Sequence, residues 1–146
     1  MRITSPPRSD LASRLRLDVA RLARRLRQEA GAGLSPSLTA ALATIERHGP
    51  LTPSELAVRE RVQRPTVTRV LTRLEEDGLI SRAADPSDRR SSLVTVSAQG
   101  RELLAVMRTR KDAFLARRLA ALDDADREAL ARAAAIVERM LEEGGE

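Results

Sequence analysis

At 146 residues the chain suits one domain or one protomer of an oligomer, and should bury roughly 68–70% of its unfolded surface. It has no cysteine, which excludes disulfides and thiol redox sensing. Its one histidine, His48, precedes Gly49-Pro50 and reads as a helix-end residue rather than a metal ligand, and a net charge of +5 marks no strongly basic protein.

The first ten residues contain Pro6-Pro7 and no apolar stretch, so residues 1–10 are expected to form a loose tail rather than a signal peptide. Leu15, Val19, Leu22 and Leu26 repeat at helical spacing up to Gly31-Ala32-Gly33, predicting an amphipathic helix within residues 11–34. Ser35-Pro36 opens a second helix, with Leu38, Ala41, Leu42 and Ile45 on one face and Gly49-Pro50 as its stop. Thr52-Pro53-Ser54-Glu55 is a capping box with proline at the first helical position, and Leu51 is placed to staple onto Leu56. That short helix ends near Glu60, and Arg61-Val62-Gln63 make a tight turn. Pro65 is tolerated only near a helix start, so the next helix begins at Gln63 or Arg64. Val67, Val70, Leu71 and Leu74 form its apolar face, and Gly78 ends it. Two helices joined by three or four residues, the second amphipathic, make a helix-turn-helix.

Leu79-Ile80-Ser81-Arg82 and Leu93-Val94-Thr95-Val96 are β-type runs on either side of Asp85-Pro86-Ser87-Asp88-Arg89-Arg90. The pattern predicts a hairpin with two arginines at its tip. Ser97 then caps a long helix carrying Leu103, Met107, Phe114, Leu115 and Leu119. Asp123 caps a last helix carrying Leu130, Ala134, Val137 and Leu141. No apolar run exceeds five residues, far below the ~20 needed to span a bilayer. A cytoplasmic protein without membrane contact is expected.

The predicted fold is mainly α: a winged helix-turn-helix with a two-stranded β wing and long terminal helices. Its parts run as one continuous domain: tail 1–10, dimerisation helix 11–34, winged region 35–97 and dimerisation helices 98–146. The seams at Leu15, Leu22, Leu119, Leu130, Val137 and Leu141 exceed what a helix-turn-helix core can cover. A second copy of the chain is the simplest cover, giving a homodimer with two reading heads. A monomeric bundle around the same seams is the alternative.

The helix from Gln63 to Asp77 presents Gln63, Arg64, Thr66, Thr68, Arg69, Thr72 and Arg73 opposite its apolar stripe. Early residues of a recognition helix reach base edges and later ones meet phosphates. Gln63 and Arg64 are therefore the expected base contacts, since glutamine pairs with adenine and arginine with guanine. Thr68, Arg69 and Arg73 are expected on the backbone. On the wing, Arg90 is the expected minor-groove residue, with Arg89 nearer the backbone. Asp85 should set the turn, and Asp88 should orient an arginine through an ion pair. The near-exclusive use of arginine, with Lys111 the single lysine, suits bidentate recognition of phosphate and guanine. A GC-rich genome would give the same bias.

Thr66-Val67-Thr68-Arg69, Leu74-Glu75-Glu76-Asp77-Gly78-Leu79-Ile80-Ser81-Arg82, Asp85-Pro86-Ser87-Asp88-Arg89-Arg90 and Val94-Thr95-Val96-Ser97-Ala98-Gln99-Gly100 together resemble the MarR family of bacterial transcriptional regulators. The resemblance covers almost the whole chain. It implies an obligate homodimer, a palindromic double-stranded DNA operator, and repression relieved by a small-molecule effector. Effector surfaces would come from the first, second and fifth helices, where Arg16, Ser37, Leu38, Arg110 and Phe114 are the candidates by location. One Phe and no Tyr or Trp leave little for an aromatic ligand to stack on. No cofactor or metal is expected, and no catalytic residues: the chain lacks a nucleophile–base pair and a phosphate-binding loop. A non-specific architectural DNA-binding protein is the alternative function. A winged module kept only for protein contacts is a third, set against the retained Arg69, Arg73, Arg89 and Arg90.

Overall fold

The computed structural model describes residues 7–31 and 33–142, and places six helices and one hairpin in the expected order. Helix α1 spans Arg8–Ala30, α2 Pro36–His48, α3 Pro53–Glu60 and α4 Arg64–Glu76. Strands β1 (Ile80–Asp85) and β2 (Asp88–Val96) follow, then α5 (Ala98–Ala120) and α6 (Asp124–Glu142). Residues 8–10, expected in a tail, already belong to α1; the first six residues of that tail lie outside the described residues.

The helix starts follow from their caps. The side chains of Ser35, Thr52 and Ser97 accept from the backbone N–H groups of Leu38, Glu55 and Gly100, and Asp123 accepts from Asp126. Pro36, Pro53 and Pro65 sit in first turns, where no amide hydrogen is needed. Arg61 ends α3 in the left-handed region, φ 54°, and leads straight into α4.

The core lies in the head. Leu42 and Ile45 of α2, Leu56 of α3, Val67, Leu71 and Leu74 of α4, and Val94 of β2 are fully buried together. Leu51 joins them and exchanges two backbone hydrogen bonds with Val94, N to O at 3.2 and 2.8 Å, tying the α2–α3 connection to the wing. Leu104 brings α5 into the same cluster. Beyond the head, α1 lies along α5. Arg110 of α5 donates to the Ala30 carbonyl at 3.0 Å, closing the C-terminal end of α1. Helix α6 buries none of its residues, and α1 buries only Ala30.

The wing is longer than the apolar runs suggest. Strand pairing continues from Ile80↔Val96 to Ala84↔Ser92, then skips to Asp85↔Asp88. Arg89, Arg90 and Ser91 therefore form an unpaired bulge within β2, and the turn tip is Pro86-Ser87. The two arginines are not at the tip, as their turn-like neighbourhood suggested; an irregularity in the ladder carries them instead, and bulges re-aim side chains.

Candidate nucleic-acid interface

Helix α4 offers its outer face because its inner one is filled. Val67, Leu71 and Leu74 are buried, leaving Thr68, Arg69, Thr72 and Arg73 exposed. Gln63 precedes the first turn, is exposed, and makes no capping bond with its side chain. Thr66 does not share this face. It is half-buried beside Val67 and Val70, lining a hollow of ≈ 330 Å³ between α2 and α4, because it stands one helical turn before Val70.

The polar side chains are arranged more tightly than their spacing reveals. Arg64 Nη1 donates to Ser54 Oγ at 2.8 Å, linking α4 to the first turn of α3. Thr68 and Thr72 donate their hydroxyl protons to the carbonyls of Arg64 and Thr68, at 3.1 and 2.8 Å. Their oxygens must rotate before donating to a phosphate. Arg73 pairs with Asp77 at 3.1 Å at the C-terminal end of the helix. Arg82 pairs with Glu75 at 3.2 Å, and its side chain is only 29% exposed. Arg82 is a residue that sequence reasoning passes over; its one signal is its place two residues after buried Ile80, opposite Val94, on the strand face turned toward the reading helix.

Between α4 and the wing lies a polar cleft of ≈ 360 Å³. Arg64, Arg82 and Arg90 line it, with Ser54, Thr68 and Asp88. Arg89 is exposed and outside the cleft lining. Asp88 does not orient a guanidinium by an ion pair; its Oδ1 accepts the backbone N–H of Arg90 at 3.0 Å. The carboxylate shapes the bulge instead of neutralising the cation. Asp85 Oδ1 accepts both the N–H and the hydroxyl of Ser87, at 3.0 and 2.7 Å, and these bonds hold its carboxyl below the ordinary 3.8.

The five residues expected around an effector do not converge. Phe114 is buried under the guanidinium groups of Arg25 and Arg118, 5.2 and 5.1 Å from its ring centre. Arg110 is committed to Ala30, Arg16 is exposed, Leu38 packs on the head core and Ser37 lines the hollow by α4. An open cavity of ≈ 590 Å³ does lie among α1, α2 and α5, bounded by Leu26, Arg27, Leu34, Met107 and Lys111. The expected elements surround it, but with other residues. No group of three or more metal-ligating side chains occurs among the described residues, and no described helix is long and apolar enough to cross a membrane.

The model of the MarR family matches residues 34–92, the span from just before α2 into β2 of the wing. An HTH-type transcriptional regulator of Mycobacterium bovis is 41% identical over 134 residues, covering 91% of this chain and 94% of the relative. A solved structure described as a transcriptional regulator from Pseudomonas aeruginosa is 38% identical, with a TM-score of 0.82, covering 93% of this chain and 98% of that one. A mutant of Staphylococcus aureus MepR, bound to an oligodeoxyribonucleotide, shares the fold at 20% identity and a TM-score of 0.69, over 91% of this chain and 96% of its own.

Proposed function

The chain belongs to the MarR family of transcriptional regulators, and on that premise we propose that it binds a palindromic operator in double-stranded DNA as a homodimer and represses transcription there. The observation that carries this reading is the convergence of Arg64, Arg82 and Arg90 on one cleft beside the exposed face of α4. A helix in the major groove with a wing on the flanking strand would set Arg64 toward base edges, Arg90 toward the minor groove and Arg82 toward the phosphates between them. The fold shared with MepR, captured on an oligodeoxyribonucleotide, supports the same use of the head.

In this reading Gln63 and Arg64 contact base edges, while Thr68, Arg69 and Arg73 hold the backbone, Arg73 exchanging Asp77 for a phosphate. Arg90 enters the minor groove and Arg89 stays by the backbone. Asp85 and Asp88 shape the wing through backbone and hydroxyl contacts. The dimer is closed by α1, α5 and α6 through Leu15, Leu22, Leu119, Leu130, Val137 and Leu141. An effector in the cavity among α1, α2 and α5 would release DNA only by binding one separation of the heads more tightly than the other.

Selection of the purified protein on a randomised duplex pool, with a salt titration of the winning site, tests this directly. The expected result is an enriched palindrome with half-sites about one turn apart. Steeply salt-dependent binding with no enriched sequence would instead establish an architectural protein.

A further inference from the structure

We infer that Ser54 is a positioning residue for sequence readout: its hydroxyl fixes the guanidinium of Arg64 so that Arg64 reads guanine. This rests on the DNA-binding reading above. Arg64 is the first residue of α4, at the point where a recognition helix meets base edges. A free arginine there has several rotatable bonds and can reach a phosphate as readily as a base, and phosphate contacts carry no sequence information. The 2.8 Å bond from Nη1 to Ser54 Oγ removes that freedom before DNA arrives. Guanidinium offers five N–H donors, so one spent on Ser54 leaves a fork for guanine O6 and N7.

Ser54 suits the task because a hydroxyl is both acceptor and donor. It accepts from Arg64 and keeps its own proton, which is free to bond a phosphate oxygen over the exposed first turn of α3. Backbone docking and base readout would then be joined at one oxygen atom. The capping of α3 does not depend on it, since Thr52 accepts from Glu55 at 3.2 Å. The fold should therefore tolerate its loss.

The test compares wild type with Ser54→Ala, Ser54→Thr, Arg64→Ala and the double variant Ser54→Ala/Arg64→Ala. Each is titrated against the site selected by the wild type, every single-base-pair variant of that site, and an unrelated duplex. Thermal unfolding of Ser54→Ala is followed alongside and should be unchanged. At one guanine position the wild type should prefer guanine by about tenfold or more. Ser54→Ala should abolish most of that preference, Ser54→Thr should restore it, and the double variant should discriminate no worse than Arg64→Ala. The salt slope of Ser54→Ala should match wild type, because no cation is lost. A Ser54→Ala protein with undiminished guanine preference would overturn the assignment. So would equal weakening on every duplex, which would leave the hydroxyl a phosphate contact alone. If the wild type enriches no sequence, the operator reading falls and takes this inference with it.

Discussion

Asp85 and Ser87 show how one short turn is written in hydrogen bonds. The Ser87 hydroxyl is the largest cause holding the Asp85 carboxyl below 3.8, followed by the Ser87 N–H; a lesser desolvation effect acts the other way. A carboxyl lowered in the folded state contributes stability that is complete above its unfolded value of 3.8 and is lost as pH falls through the folded value. The turn should therefore be indifferent to pH across the neutral range and loosen only in strong acid. In an NMR titration, Asp85 should show a midpoint below 3.8, and Ser87→Ala should move it upward. Identical midpoints in the two proteins would mean that the hydroxyl does not hold the carboxylate. This much of the wing is legible in the sequence because aspartate and serine around proline leave few other local structures.

At the level of elements, helices could be read from the chain and the hairpin only partly. Caps and breakers are local, so Ser35, Thr52 and Ser97 marked starts that the backbone honours. Strand length depends on pairing across the hairpin, and Arg82-Ala83-Ala84 carries little β propensity of its own. The bulge at Arg89–Ser91 follows from the register, which no single strand encodes. It aims Arg90 into the cleft, so Arg90→Ala should lower operator affinity about tenfold or more at physiological salt, and Arg89→Ala less. Fluorescence anisotropy on the selected duplex would measure both, and equal or reversed losses would reassign the groove contact. Ser97 joins elements on either side of the wing. Its hydroxyl donates to the Gly78 carbonyl at 2.7 Å and accepts from Gly100 N–H at 3.0 Å, linking the end of α4 to the start of α5. Ser97→Ala should cost about 1–2 kcal/mol in urea unfolding, the range of a lost N-cap. The cavity among α1, α2 and α5 is the least readable feature, because it is set by the packing of three helices, which residue patterns alone do not fix.

The whole molecule divides its apolar residues unevenly. The head buries its own, while Leu15, Leu22, Leu130, Val137 and Leu141 stand 44%, 47%, 49%, 45% and 74% exposed on the terminal helices. These residues recur at helical spacing, which makes a stripe rather than scattered exposure, and such a stripe suits the partner surface proposed above. Leu130→Asp or Val137→Asp places a charge on that stripe without touching the head core, so the heads should stay folded while assembly weakens. Two linked heads on one DNA gain from the second contact being intramolecular, so loss of the dimer should lower operator affinity at least about a hundredfold. Light scattering and DNA titration on the same preparation would measure the two effects together. A tight-binding monomer would detach DNA affinity from assembly. An intact dimer carrying either charge would place the interface on another face, because a carboxylate desolvated on an apolar seam without a cation beside it costs more than such an interface can offset.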